Sequence, residues 1–215
     1  VQRTGDVVRA TGQLLDAGHA SAGVVAPALT WFLAEGATGS FFETRVALFN
    51  PTAEPATVLA RFLTDAGAVV ARTIVVPAFM RRTLAVGTLP GLEQASFSIV
   101  LESDRQVVVD RTMRWDATGY GSHTETGLRS PSPTWLLAEG STSGDFSLFY
   151  LLQNPQAAAV TATVRYLRPS GVPPLVKTYT LPPLSRTTIG ASASSATRFG
   201  TAISALSVSA MVQAR

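Results

Sequence analysis

The sequence predicts an all-β chain of two tandem antiparallel β-sandwich domains, and three observations lead to this fold class. Apolar residues alternate with a period of two along short segments, as in Phe42, Val46 and Leu48. Turn-forming residues separate these segments at the ~8–12-residue spacing that is typical of sandwich strands. A tryptophan-initiated motif at Trp31 recurs 104 residues later, at Trp135. This period predicts two Ig-like domains of about 104 residues, joined by the proline-containing linker Pro131-Ser132-Pro133.

Composition limits the classes of protein to which the chain can belong. Its 215 residues are 46% hydrophobic and 14% charged, and they include no cysteine. High hydrophobicity with low charge excludes a disordered chain, and the lack of cysteine excludes disulfide scaffolds and thiol-ligated metal sites. The net charge is +3, and the largest basic cluster is Arg81-Arg82, so we expect no nucleic-acid partner. No apolar stretch approaches the ~20 residues of a membrane-spanning helix.

Each copy of the repeat is predicted to consist of short strands. Val, Ile, Thr and Phe are abundant in these segments and favour strands over helices. Residues 5–28 and 116–130 lack a clear periodicity, so we expect surface loops or connectors there. The turn signals between strands are Asn50-Pro51, Asp65-Ala66-Gly67, Pro77, Gly87, Pro90-Gly91 and Ser103-Asp104. The predicted strands of the first copy are 29–35, 41–48, 56–64, 68–76, 80–86, 94–102 and 106–115.

The repeat sets the expected domain boundaries. Asn50-Pro51 recurs as Asn154-Pro155 at the same offset as the tryptophan motif. Val1–Thr4 resembles Val109–Thr112, the close of the first copy, so we expect the chain to belong to a longer array. The expected divisions are the tail of a preceding repeat with a connector at 1–28, one sandwich at 29–130 and a second at 131–215.

These motifs resemble a known family of repeat modules. They are Trp-x-Leu-Ala-Glu-Gly, Asn-Pro, the pair Pro77 and Arg81, and Arg-x-Met-x-Trp at Arg111 to Trp115. The chain is similar, over nearly all of residues 19–215, to roughly hundred-residue modules with a Trp-Tyr-Phe-Ala-Glu-Gly-type signature. Those modules occur in tandem in large secreted and surface-attached bacterial proteins. The resemblance implies an extracellular β-sandwich repeat without catalytic activity, cofactor or assigned ligand.

Charged residues that recur in a chain with little charge call for an explanation. Glu35 and Glu139 occupy equivalent positions, as do Arg111 and Arg215. We expect two structural ion pairs, Glu35–Arg111 and Glu139–Arg215, because a guanidinium fork binds a carboxylate in bidentate geometry and fixes strand register. A glycosidase needs two nearby carboxylates, and glutamate recurs only once per copy, so we expect no catalytic residue and no enzyme activity.

Aromatic and histidine residues are the remaining candidates. Trp31 and Trp135 open apolar strands and are expected to anchor the two cores. Trp115 ends a strand beside Asp116 and is the better candidate for stacking on a ligand such as a glycan. His19 and His123 are expected in exposed loops or capping a carbonyl, since a zinc site needs three or four ligands and none is assembled locally.

The sequence favours a non-catalytic structural or interaction module of a secreted or cell-surface bacterial protein, acting as a spacer, stalk or assembly unit. The expected partners are neighbouring repeats or other envelope proteins, with self-assembly through edge strands as a further hypothesis. Two alternatives stay open, a carbohydrate-binding module and an accessory subunit docked in a larger envelope complex.

Overall fold

The chain divides into two compact units. The computed structural model describes residues 3–8, 14–19, 23–115, 121–138, 140, 148–168, 170–191 and 200–214, with the backbone alone in 3–8, 14–19 and 200–214. One unit comprises Val1–Phe62 and Val70–Arg129, and the other comprises Leu63–Val69 and Ser130–Arg215. The described part of the chain is almost entirely β, as the alternation of apolar residues predicts.

In the described residues up to Arg129, the chain forms antiparallel strands and a short 3-10 helix at Val86–Thr88. Its described strands are Arg3–Val8 (β1), Leu14–His19 (β2), Ala28–Leu33 (β3), Phe42–Phe49 (β4), Ala56–Thr64 (β5), Val69–Val76 (β6), Arg81–Ala85 (β7), Phe97–Trp115 (β8) and Gly121–Thr126 (β9).

The long strand β8 organises a curled antiparallel sheet of order β6-β5-β8-β4-β7. Its first part pairs with β3, where Trp31 lies opposite Leu101. Its last part lies between β4 and β9, so that Arg111 lies opposite Val46 on one side and Glu125 on the other. One strand that serves both parts of the sheet lets the sheet fold over a shared apolar core.

The structure differs from the predicted strand division in two places. Ser103-Asp104 does not end a strand, because β8 continues through it and the Asp104 carboxylate accepts a 2.7 Å hydrogen bond from the Thr57 backbone N–H. The segments 5–28 and 116–130, which lack apolar alternation, contain β1, β2 and β9 instead of loops alone. Backbone pairing holds these strands, and such pairing needs no apolar alternation.

The core of the first unit forms on the alternating faces that the sequence predicts. Thr44, Val46 and Leu48 of β4 are fully buried, and so is Trp31 of β3. The Trp31 indole donates a 2.9 Å hydrogen bond from Nε1 to the Val107 carbonyl, which satisfies its only polar atom. The large apolar side chains around them are Leu33, Phe62, Phe97, Ile99 and Leu101.

The second unit repeats the strand order of the first. Its sheet runs β13-β12-β15-β11-β14, and β10 pairs with β15 as β3 pairs with β8. Leu148, Tyr150 and Leu152 are buried at the positions of Thr44, Val46 and Leu48. The described strands are Ser132–Leu137 (β10), Leu148–Asn154 (β11), Val160–Leu167 (β12), Leu175–Leu181 (β13), Ser185–Ala191 (β14) and Gly200–Ala214 (β15).

The Asn-Pro motif closes one corner of the first unit. Asn50 is fully buried, and its Nδ2 donates to the carbonyls of Glu54 at 2.7 Å and Val76 at 3.1 Å. Its Oδ1 accepts a 2.9 Å hydrogen bond from the Thr52 backbone N–H. One side chain therefore connects the end of β4, the loop that follows it and the end of β6.

The same bonds recur at Asn154. Its Nδ2 donates to the carbonyls of Ala158 at 2.9 Å and Leu181 at 3.2 Å, and its Oδ1 accepts from the Gln156 N–H at 3.1 Å. Because a buried amide with all these bonds cannot be replaced by an apolar side chain without loss, the motif needs asparagine at this corner.

A strained turn lies beside each asparagine. Phe79 has φ 55° and Leu184 has φ 47°, a left-handed conformation that large side chains rarely adopt. Each of these residues donates its backbone N–H to the loop after the asparagine, to the Thr52 carbonyl at 3.2 Å and the Gln156 carbonyl at 2.9 Å respectively. The repetition thus extends from sequence to backbone conformation.

Candidate functional site

The segment after β3 turns Glu35 toward the interior. Phe97 donates its backbone N–H to the Gly36 carbonyl at 2.9 Å, and the Ala37 N–H donates to Thr44 Oγ1 at 3.0 Å. A Cβ on Gly36 would lie 2.1 Å from the Phe97 ring, so only glycine allows this close approach. Close packing of the Phe97 ring therefore explains why glycine follows glutamate in the motif.

Glu35 and Arg111 form a fully buried ion pair. Arg111 Nη1 donates to Glu35 Oε2 at 2.6 Å, and the two side chains are 0% and 1% exposed respectively. Arg111 Nη1 also lies 3.7 Å from Met113 Sδ. The structure thus brings together Glu35 and Arg111, the two residues that were expected to pair because charged residues recur at their positions in the sequence.

Strand β9 adds two more titratable side chains to this pair. His123 Nε2 lies 2.7 Å from Arg111 Nη2 and 2.8 Å from Glu35 Oε2. Glu125 Oε2 accepts from Arg111 Nη2 at 3.1 Å. The side chains of His123 and Glu125 are 23% and 29% exposed, so they lie at the solvent edge of a buried site. We call Glu35, Arg111, His123 and Glu125 the charge cluster.

The pKa values of the two carboxyl groups in the charge cluster are shifted in opposite directions. Burial raises the pKa of Glu35, but the Arg111 charge and contacts with His123 outweigh burial and lower the pKa to about 2. Burial raises the pKa of Glu125 above its ordinary value, the Arg111 charge opposes this rise, and the nearby Glu35 charge adds to it. Glu35 is thus held ionised at neutral pH. The preference of the folded state for the ionised carboxylate over the protonated form is present above pH 4.5 and is lost as the pH falls through about 2.

Two carboxyl groups with separated pKa values are also what acid–base catalysis uses. Here, however, Glu35 and Arg111 have almost no surface from which to contact a substrate.

No group of three or more His, Cys, Asp or Glu side chains suited to a metal ion occurs among the residues that the structure describes. In the same part of the chain, no helix is long and apolar enough to cross a membrane.

The structure corrects the expectation for His123 and adds Glu125. His123 is not in an exposed loop and does not cap a carbonyl, since its ring lies between Glu35 and Arg111. The residues share a face because positions two apart on a strand point the same way. A His-x-Glu spacing after the Arg-x-Met-x-Trp segment is the sequence signal that could have identified both, and it was missed because β9 has no apolar alternation.

The remaining predicted residues have different environments. Trp31 is buried, whereas Trp135 is only partly buried and packs against the second core. Glu139 and Arg215 lie outside the described residues. Trp115 is half-buried, and its ring centroid lies 5.4 Å from that of His123. A Cβ on Gly121 would lie 1.9 Å from Trp115 Nε1, so the indole packs directly over that glycine. Part of the indole surface is therefore covered by the protein and cannot stack on a ligand.

Comparison with known proteins gives limited likeness. No family model matches the chain, and no curated protein matches it. Among solved structures, it is similar to the Thermotoga maritima 1070 protein at 19% identity and a TM-score of 0.45, over 47% of this chain and 94% of that one. It is also similar to the Anabaena sensory rhodopsin transducer at 24% identity and a TM-score of 0.36, over 40% of this chain and 97% of that one.

Proposed function

We propose that each unit is an Ig-like β-sandwich and that the tandem pair is a non-catalytic structural module of a secreted or cell-surface bacterial protein. The observation that carries this proposal is the corner of Asn50, which recurs at Asn154 with equivalent hydrogen-bond partners. What is repeated in both units is the scaffold: strand order, corner and strained turn. A protein that repeats its scaffold sets distance and presents surfaces, as a spacer, stalk or assembly unit does.

The extracellular location and the bacterial origin in this proposal come from the resemblance of the motifs. Low charge and the absence of cysteine are compatible with it. Neighbouring repeats or other envelope proteins are the partners that we propose, either in an array or as an accessory subunit of a larger complex. Strands β6 and β7 end the sheet of the first unit and are the edges through which self-assembly would occur.

Substituting the two equivalent asparagines tests whether the units are separate modules. Asn50→Ala should lower the free energy of unfolding of one transition by about 1–3 kcal/mol, because it leaves buried carbonyls and an N–H without partners. Asn154→Ala should lower a different transition by a similar amount. Differential scanning calorimetry of both variants measures this. A single transition that both variants shift equally would contradict the proposal of independent modules.

The carbohydrate-binding alternative depends on Trp115. Since its indole already packs on Gly121 and His123, we expect glycan-array signals of the wild-type protein and of Trp115→Ala to be equally close to background. A specific glycan signal in the wild type that Trp115→Ala reduces by tenfold or more would favour a carbohydrate-binding module over a spacer.

A further inference from the structure

Strand β6 ends the sheet of the first unit, and its backbone groups point alternately toward β5 and away from it. The Thr64 backbone N–H donates to the Ala68 carbonyl at 2.9 Å across the turn between the two strands. Ala68 therefore faces β5, and so does every second residue after it. The backbone groups of Ala71, Thr73 and Val75 accordingly point to the open side of the sheet.

Two arginine side chains cover this open side. Arg72 donates from Nη1 to the Ala71 carbonyl at 2.7 Å and from Nη2 to the Pro90 carbonyl. Arg82 donates from Nη1 to the Val75 carbonyl at 2.9 Å. The outward carbonyls at both positions are thus already bonded, and charged side chains on an edge strand oppose its pairing with another chain.

Strand β13 is the equivalent edge of the second sheet. The Asn50 side chain donates to the carbonyl of Val76, the last residue of β6, and the Asn154 side chain donates to the carbonyl of Leu181, the last residue of β13. The two strands therefore correspond residue by residue, at the offset of 105 positions that separates Val76 from Leu181. The outward-facing residues of β13 are then Val176, Thr178 and Thr180.

The residues that replace the two arginines leave the edge of β13 open. Lys177 stands where the first unit has Arg72, and Thr187 stands where it has Arg82. Within the described residues, neither of these side chains donates to a carbonyl of β13, and Val176 is 47% exposed. A row of unpaired backbone groups is satisfied best by another extended backbone, so the partner that fits this edge is a β-strand.

We propose that β13 pairs antiparallel with β13 of a second copy of this chain, about a two-fold axis at Thr178. This rests on the proposed role as an assembly unit, and it assigns the assembly to one edge of the second unit instead of the edges of the first. Thr178 exchanges two hydrogen bonds with its counterpart across the axis, and Val176 and Thr180 exchange the flanking ones. Since both partners use the same strand, the contact closes at a dimer.

Side-chain chemistry selects this register over its neighbours. On the exposed face, Val176 lies opposite Thr180 of the second copy and Thr178 lies opposite itself, and such β-branched pairs stabilise antiparallel strands. On the other face, Lys177 lies opposite Tyr179, so no like charges are opposed. Moving the axis by one residue to Lys177 would place two ammonium groups directly opposite each other, which is destabilising.

A single introduced cysteine tests the pairing, because the chain contains none. The Cα atoms of a hydrogen-bonded antiparallel pair lie about 5.5 Å apart, within the range that a disulfide spans. Thr178→Cys in the whole chain should therefore form a covalent dimer under mild oxidation. Thr73→Cys places the same group at the equivalent position of the capped edge and should remain monomeric. Equal yields of dimer from the two variants would overturn the proposal.

Proline at the same two positions gives a second test. Thr178→Pro removes an outward N–H that the unit does not use in its own sheet, so the unit should still fold. In sedimentation velocity its dimer should be weaker than that of the wild type by at least about tenfold, because two hydrogen bonds at the axis are lost. Thr73→Pro should associate as the wild type does.

Two results of the sedimentation measurements would also overturn the proposal. One is a wild-type chain that stays monomeric up to about 100 μM, and the other is a dimer that Thr178→Pro does not weaken. Both leave the scaffold role itself standing, because calorimetry of the asparagine variants tests that role independently. A dimer that Thr178→Pro weakens, beside a single calorimetric transition that both asparagine variants shift equally, would instead support the β13 contact and contradict independent modules.

Discussion

Replacing Arg111 by methionine should destabilise the first unit by about 3–5 kcal/mol, because it leaves the buried Glu35 carboxylate without its guanidinium partner. Methionine fills a similar volume, so the loss would come from the uncompensated charge and much less from a cavity. Urea denaturation of the whole chain at pH 7, followed at the transition that Asn50→Ala shifts, measures this change. The difference from the wild type should shrink as the pH falls from 4.5 toward 2, where Glu35 becomes protonated.

The same unit contains a matched control for this substitution. Arg61 Nη2 lies 2.6 Å from Glu102 Oε2, the same distance as in the buried pair, but the two side chains are 36% and 48% exposed. Arg61→Met should therefore cost less than about 1 kcal/mol. The double variant Glu35→Leu with Arg111→Met should regain most of the lost stability, since it removes both charges together. Equal effects of Arg111→Met and Arg61→Met would show that burial of the pair has no energetic consequence.

Burial also explains how the charge cluster relates to the rest of the module. A buried ion pair is a poor source of net stability but a strict requirement on geometry, because each partner is unfavourable without the other. Glu35 follows β3, and Arg111 lies in the part of β8 that pairs with β4 and β9. Their bond therefore ties together both parts of the curled sheet, which explains why the unit keeps charges in its interior.

Sequence reasoning succeeded where a physical rule links residue type directly to environment. Alternation along 42–48 predicted the buried face of β4 because successive strand residues point to opposite sides. The scarcity of charge made the recurrence of Glu35 and Arg111 informative, since a chain with few charges has few reasons to repeat one. Both rules are local, so they could be read without knowing which strands are neighbours.

It failed where the environment depends on strands that are distant in sequence. Ser103-Asp104 has turn-like composition, but its residues continue β8, and Asp104 instead holds the start of β5 through Thr57. His123 and Glu125 belong to a polar strand whose pairing with β8 decides which way they face. Only the antiparallel register, with Arg111 opposite Glu125, brings them to Glu35, and no single-sequence pattern fixes that register.

Removal of the Trp31 side chain should have a comparable effect on the first unit, about 3–5 kcal/mol for Trp31→Ala. The ring is fully buried, its indole Nε1 bonds to the Val107 carbonyl, and a Cβ added to Gly127 would lie 3.1 Å from its Cε3 atom. Truncation removes the whole buried ring and leaves the Val107 carbonyl without the indole donor, so both losses add to the cost. Trp31→Phe should cost less, because it keeps most of the ring volume and removes mainly the hydrogen bond.

The equivalent residue of the second unit provides the comparison. Trp135 is only partly buried, so Trp135→Ala removes a smaller apolar area from its core and should cost less than half as much as Trp31→Ala. Guanidinium denaturation of the two alanine variants, each assigned to its own transition by the asparagine variants, gives both values. Equal losses at the two positions would mean that burial of the tryptophan does not set its contribution. The motif would then be maintained by a factor common to both units, such as the backbone path from the tryptophan to the glycine.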